Sequence, residues 1–330
     1  MPLPCQHRFV PYQETRQRPN IVVDGRANEG TVLTLSHWPR SGTPWPLKDD
    51  TSVEVAFRYL DSPEHHVDVE AVTNDHFDED GLIGLHCLIA PDHAQRHRDL
   101  LIGAAHAGDF GTYSNRDAAR LAFAIARLAS GRHSPWGGDA MPEAKAERTG
   151  YKYARMLEEL GALIDDIEGH AELWRDEDDF LSASERLFDS GAATIEEDEA
   201  LDLAVVRVPA AWRRAGHGAT VVHPMAIHNR TGCNRVATIC GDFYRFGYRY
   251  ESWVQMVTRR PPPRIDLRPL AEALTARDSR AWRFDGVSQI TPKLRALGSR
   301  NGLASDAFLE ALREALATGE PAWDPYDAEN

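Results

Sequence analysis

The sequence predicts an α/β protein: an N-terminal, mostly parallel sheet flanked by helices, followed by a smaller mixed α+β domain. Three observations carry this reading. Strand-like and helix-like patterns alternate early in the chain, a charged helical stretch follows, and β-rich runs return near the C-terminal third. A length of 330 residues accommodates two domains of ordinary size. The expected division is 1–135 for an α/β domain, 136–198 for a helical linker region and 199–330 for an α+β substrate domain.

The N-terminal elements follow from pattern. "GTVLTLS" (Gly30 to Ser36) is a short β-rich run that delivers His37 into the Pro- and Gly-rich loop "HWPRSGTPWPLKDD". A helix starts at Thr51 with the capping pair Thr51 and Glu54, and carries Val53, Ala56, Phe57 and Leu60 on one face. "HVDVEAVT" (His66 to Thr73) alternates like a strand and delivers His76. Strand, crossover helix and strand make a βαβ unit, so the two strands should be parallel. His37 and His76 then share the carboxyl edge of the sheet, where open α/β sheets hold their ligands.

Further helices are expected after Gly81, over "DLLIGAAHA" (Asp99 to Ala107), and from the capping pair Ser114 and Asp117 to about Ser130. That last helix would set "GDFGTY" at a helix N-terminus, favourable ground for an anion. "SGRHSPWGGDAMPE" (Ser130 to Glu143) reads as a linker, and Lys145 to about Ser190 as a charged helical bridge. "LDLAVVRVP" is a strand; "NRVATIC" and "FYRFGYRYESWVQMV" form a hairpin around Gly241-Asp242. "RIDLRPLAEAL" (Arg264 to Leu274) and "ASDAFLEALREALA" (Ala304 to Ala317) are amphipathic helices.

Composition narrows the function. With 37 basic and 51 acidic residues the net charge is −14, which argues against broad nucleic-acid binding and leaves room for a small anionic ligand at a local site. No apolar run approaches the ~20 residues needed to cross a bilayer, so no membrane partner is expected. Cys5, Cys87, Cys233 and Cys240 are scattered without a CxxC pair, and no secretory leader pattern opens the chain. A cytoplasmic protein with reduced thiols is expected, and a homodimer is compatible with it. No P-loop, GxGxxG, GxSxG or HExxH pattern occurs.

The chemical signal is "VTNDHFDEDGL" (Val72 to Leu82). In an extended segment His76, Asp78 and Asp80 point the same way and could converge on one ion. One imidazole and two carboxylates suit a manganese- or iron-type divalent ion. An EF-hand register fails: with Gly81 at the sixth position, Cys87 stands where a bidentate Glu is needed. An ordinary acidic turn is the bland alternative.

"VEAVTNDHFDEDGL" resembles the first motif of the DHH phosphoesterase superfamily, in which an apolar strand runs into (H/D)-x-D-x-D-G and a helix. The resemblance implies two manganese ions and hydrolysis of phosphodiesters, oligonucleotides, cyclic dinucleotides or pyrophosphate. It implies His76, Asp78 and Asp80 as ligands. "AGDFGTYSNRDAARLAFAIARL" is similar to a later motif and implies Asp109 as a further ligand. In place of an Asp-His-His triplet, "PDHAQRH" offers Asp92 and His93, earlier than the usual order, and the glycine-rich GGGH signature is missing. The layout SHWP…NDHFDEDG…GDFG also resembles a bacterial family of unknown function, which implies no activity.

The remaining candidates differ in setting. His37 is a ligand or acid/base residue, or structural. His93, His97 and His106 lie in helix-like stretches, where surface or core roles are commoner. "HPMAIHNRTG" sets His223 and His228 five apart, off any single helical face, beside Asn229 and Arg230. In "FYRFGYRYESW", Tyr244, Phe246, Tyr248 and Tyr250 share one face. Arg245, Arg249 and Glu251 take the other, as a solvated face or as arginine forks for an anion.

The reading is a metal-dependent hydrolase of a small phosphoester, phosphoanhydride or related anion. Its site lies at the carboxyl edge of the N-terminal sheet and is closed over by the C-terminal domain. Two divalent ions, manganese the leading choice, would sit on His76, Asp78, Asp80, Asp109 and, as further candidates, Asp92 or His93. His37, His223 or His228 would protonate the leaving group, and Asn229, Arg230, Arg245 and Arg249 would contact substrate. A metal-free binding or regulatory protein is one alternative. Metal-dependent hydrolysis of a non-phosphate bond such as an amide is another.

Overall fold

The computed structural model describes residues 5–130, 136–137, 141–212, 221–297 and 302–327. The linker expected over Ser130 to Glu143 lies for the most part outside them. The chain divides into two compact units: Met1–Asp179 with Met256–Thr258, and Phe180–Gln255 with Arg259–Asn330.

In the first unit, β1 (Arg8–Phe9), β2 (Asn20–Val23), β3 (Thr31–Leu35) and β4 (Ala71–Thr73) make a sheet of order β1-β4-β2-β3. Every pairing in it is parallel. Ile21, Val22 and Val23 are fully buried, as expected of a central parallel strand covered on both faces. The two strands expected from the sequence are parallel, but they are not neighbours, because β2 lies between them. The strand expected from His66 is shorter than expected. Val69 N–H donates to Val67 O at 3.0 Å, a tight local turn that keeps the segment before Ala71 out of the ladder.

Helix α1 (Ser52–Asp61) connects β3 to β4 and starts as its sequence requires. Thr51 Oγ1 accepts from Glu54 N–H, and the Glu54 carboxylate accepts from Thr51 N–H at 3.0 Å. Val53, Val55, Ala56, Phe57 and Tyr59 are buried beneath it, each large apolar side chain contributing roughly 1.5–3 kcal/mol. There follow α2 (Glu79–Ile89), α3 (Pro91–Arg96), α4 (Arg98–Asp109), α5 (Arg116–Ala129) and α6 (Lys145–Asp165). The cap of α5 is Asn115, one residue beyond the expected Ser114, with its Oδ1 accepting from Asp117 N–H at 2.9 Å. Asp109 accordingly ends α4, and the N-terminus of α5 comes only after the Gly111 turn at φ +61°. The unit boundary falls inside α7 (Ala171–Asp189).

The second unit is built on a six-stranded mixed sheet. Its elements are β5 (Thr194–Asp198), β6 (Leu203–Val208), α8 (Pro224–His228), β7 (Arg235–Cys240), β8 (Phe243–Tyr248), β9 (Arg264–Ile265), α9 (Arg268–Arg277), β10 (Trp282–Phe284), β11 (Lys293–Ala296), α10 (Ser305–Thr318) and β12 (Pro321–Trp323). The sheet order is β10-β11-β8-β7-β6-β5, with only β6 and β7 parallel, and β9 pairs separately with β12. Tyr244, Phe246 and Tyr248 pack with Phe308, Leu309 and Leu312 in its core.

The long strand expected after Gly241-Asp242 stops at Tyr248, and Tyr250–Ser252 forms a 3₁₀ turn. Arg264, fully buried, organises that turn by donating to Arg249 O at 3.2 Å and Ser252 Oγ at 2.8 Å. The helix expected from Arg264 starts at Arg268, because β9 takes Arg264–Ile265 and Pro269 suits only a first turn. Among the described residues, no helix is long and apolar enough to cross a membrane.

Candidate metal centre

Because β2, β3 and β4 are parallel, the three chain segments leaving them emerge at one edge. They carry Asp24, His37 and the stretch Asn74 to Asp80. His37 Nε2 lies 3.5 Å from Asp24 Oδ1, 3.4 Å from Asp109 Oδ2 and 3.8 Å from Asp80 Oδ2. His76 Nε2 lies 2.6 Å from Asp78 Oδ2 and 3.3 Å from Asp24 Oδ2. Asp24 therefore belongs to two donor triads, Asp24–His76–Asp78 and Asp24–His37–Asp80, with one of its oxygens facing each histidine.

Each side chain is held from behind. His37 Nδ1 is 2.6 Å from Asp50 O, so Nδ1 carries the proton and Nε2 faces the carboxylates. Asp50 is itself fixed by Val257 N–H at 2.6 Å, Thr258 N–H at 3.0 Å and the Thr258 hydroxyl. His76 Nδ1 faces Asp75 Oδ1 at 3.2 Å. Both imidazoles thus have an acceptor behind one nitrogen and the acidic centre before the other, the usual way a protein orients a ligating histidine.

Asp78 caps α2, its Oδ1 accepting from Gly81 N–H at 2.9 Å. Asp80 sits in the first turn of that helix and accepts from the opening of α1: Ser52 N–H at 2.7 Å and Val53 N–H at 2.8 Å. The expected alternation along an extended segment is thus not what joins them; the helix begins at Glu79 and turns Asp80 inward. Each Asp80 oxygen keeps a second lone pair, so the helix contacts do not exhaust it.

Asp24 is supported by the Ser52 hydroxyl, 2.7 Å from Oδ1, and stands at φ +50°, a strained setting for a residue other than glycine. Gly81 is required by close approach. A Cβ there would stand 2.3 Å from Asn74 Nδ2 and 2.7 Å from Tyr153 Oη, and both are buried donors without a protein partner.

The charges do not balance. Four carboxylates meet two imidazoles, and among the described residues no Lys or Arg forms an ion pair with Asp24, Asp78, Asp80 or Asp109. Burial, then the neighbouring carboxylates, push Asp24 and Asp109 well above the usual carboxylate range. Burial likewise raises Asp80, and raises Glu79 to about 7. Burial would lower His76, but Asp78, Asp24 and Asp75 outweigh it and raise it. Asp78 goes down: burial opposes this, and the His76 charge overcomes it. In chemical terms a proton is drawn to the place a cation would take. Asp109 Oδ2 is buried without a hydrogen-bond donor.

These residues fit divalent ions. Two nitrogens and several carboxylate oxygens, with no thiolate, match a manganese- or iron-class donor set. The orphaned Asp109 oxygen and the shared Asp24 supply what a pair of ions would need.

The family model for DUF6687, a family of unknown function, matches residues 5–322. The chain belongs to that family. No curated protein and no solved structure matches it.

The other residues expected from the sequence to act at the site fall elsewhere. Asp92 is exposed on α3. His93 belongs to a separate histidine group with His86 and His97. His106 is 3.2 Å from Glu54 and lines a cleft of about 610 Å³ with Thr112, Tyr113 and Ser114.

In the second unit, buried His223 caps α8, Nδ1 accepting from Met225 N–H at 3.1 Å. His228 ends α8, and Asn229 is exposed at its C-cap. Arg230 pairs with Asp189 at 2.5 Å. Arg245 lies on β8 opposite Arg295 in register; burial and then Arg295 lower its pKa. Arg249, expected on a solvated face, is buried: it pairs with Glu251 and donates to Thr231 O at 3.0 Å.

Sequence reasoning missed Asp24. "NIVVDG" is an apolar run ending in Asp-Gly, the same kind of strand exit that flagged "EAVTND", yet its lack of alternation hid it. It also passed over Ser52, Tyr153 and the exposed Arg26, whose guanidinium lies 6.0 Å over Trp38. Trp38 in turn packs on His76, centroids 4.9 Å apart.

Proposed function

We propose that this protein is a divalent-metal-dependent hydrolase of a small phosphoester, phosphoanhydride or related anion. The observation that carries the reading is the pair of donor triads sharing Asp24, with Asp109 beside them. The likeness of the His76–Gly81 motif to the DHH phosphoesterases supports it, and manganese suits the donors. Asp24, His37 and Asp80 would hold one ion; Asp24, His76 and Asp78 the other; Asp109 completes the first. Bound there, the ions supply Lewis acidity toward water and toward the oxygens of an anionic ester.

The chain's own residues set the frame. Asp50 and Asp75 fix the two imidazoles, and the α1 N-terminus fixes Asp80. Four carboxylates repel an anion unless cations neutralise them, so substrate binding is tied to metal loading. Arg26 stands on the rim as the cation for the substrate's charge. Asn74 Nδ2 and Tyr153 Oη are the neutral donors nearest Gly81.

The test is hydrolysis of phosphomonoesters, phosphodiesters, pyrophosphate and an N-acyl amide by chelated protein given back manganese. Activity should require the metal, favour a phosphate substrate, and fall on the order of a hundredfold or more in Asp24→Asn. Activity indifferent to chelator, or surviving in Asp24→Asn, would overturn the proposal. Arg26→Ala should raise KM about tenfold with kcat little changed, by removing uniform anion binding.

A further inference from the structure

We propose a second metal site, of zinc class, formed by His93, His97 and Asp165 on the outside of the first unit. His93 Nε2 and His97 Nε2 each lie 3.2 Å from the same oxygen, Asp165 Oδ1. One donor atom from each of the three residues falls within 4.8 Å of the other two. Ligands bonded at about 2.0–2.1 Å in a tetrahedron stand roughly 3.3 Å apart, so these spacings need little adjustment.

The sequence arranges this by two routes. His93 and His97 are four apart on α3 and its C-cap, which puts both imidazoles on one face, ring centroids 4.8 Å apart. Asp165 is the last residue of α6, brought in from far along the chain. Asp165, at the C-terminus of α6, lies at the negative end of that helix's dipole, which favours a cation there.

His86 supplies the backing. Its Nε2 is 2.9 Å from His93 Nδ1, with the rings edge to face. With an ion on His93 Nε2, Nδ1–H donates to His86, the second-sphere contact that fixes a ligating imidazole. Side-chain exposures of 17% for His93, 27% for His97 and 60% for Asp165 leave the fourth position open to water and the ion free to exchange.

This group is not part of the Asp24 centre. His86 lies two helical turns beyond Asp78 on α2, about 12 Å along the axis. The donor sets differ as well. Two imidazoles and one carboxylate favour zinc, cobalt or nickel, whereas the carboxylate-rich centre suits manganese. The ion would clasp the end of α6 to α3.

The experiment is zinc titration of the chelated full chain by calorimetry, with metal content after dialysis, in wild type, His97→Ala and Asp165→Asn. Wild type should take up one zinc that raises Tm. Both variants should bind it at least tenfold more weakly and lose the rise, while keeping the wild-type circular dichroism and manganese uptake. Zinc uptake and Tm response unchanged in both variants would overturn the site. Repeating the titration in Asp24→Asn separates it from the other centre, because the zinc event should persist there whether or not manganese binds.

Discussion

The two units bury charge in opposite ways. In the second, Arg264 is fully buried and donates to Ser252 Oγ and to the carbonyls of Arg249, Val287, Gln289 and Ile290, at 2.6–3.2 Å. Arg249 is also enclosed, against Glu251. In the first unit, Asp24, Asp80 and Asp109 are gathered with no Lys or Arg ion pair among the described residues, the two histidines being their only basic neighbours there, and buried Asp109 Oδ2 accepts no hydrogen bond. Buried charge that is fully partnered holds a turn together; buried charge left in excess marks a place for something else.

That contrast can be broken by substitution. The largest stability effect is expected at Arg264. Arg264→Met should cost about 4 kcal/mol in urea unfolding, because it strips the donor from four carbonyls, one buried and three part-buried. A loss under about 1 kcal/mol would mean those contacts organise nothing.

Asp109→Asn should act with the opposite sign. Replacing a carboxylate whose buried Oδ2 no donor supports should stabilise the metal-free protein by about 2 kcal/mol while weakening manganese uptake. A destabilised apo variant would show that the carboxylate is matched after all.

The same imbalance sets a pH dependence. Glu79 is raised from 4.5 to about 7 by burial and then by Asp78, and Asp24, Asp80 and Asp109 are raised as well. A carboxyl with a raised folded pKa stabilises fully below its unfolded value and loses that contribution as pH rises through the folded one. Raised His76 works in the same direction above pH 6.5. Chelated protein should therefore lose stability between about pH 4.5 and 7. Manganese should offset the loss, so the Tm gain on adding it should widen with pH. A gain that is flat or shrinks over that range would contradict the charge account.

The smallest effect is at the cap of α1. Thr51→Ala should cost about 1 kcal/mol and leave metal uptake nearly intact, since Asp80 bonds to Ser52 and Val53 rather than to the cap.

What the sequence made legible follows the same physics. The Thr51–Glu54 cap and the strand leading into His37 are local signals, and the structure has both. Parallel strands set His37 and His76 at one edge, as the crossover argument required. Asp24 was not legible, because β2 is buried on both faces and its apolar run carries no period. Nor was the inward turn of Asp80, since the start of α2 at Glu79 depends on Asp78 acting as cap rather than as a strand residue. His93 and His97 carried a readable four-residue spacing, but Asp165, the residue that gives it meaning, is distant in sequence.

The most direct test is anomalous diffraction from crystals soaked in manganese, recorded at the manganese edge. The account predicts two peaks sharing Asp24, one beside His37 and Asp80 and one beside His76 and Asp78. Crystals that keep these side chains in place but show no manganese peak within bonding distance of Asp24 would contradict it.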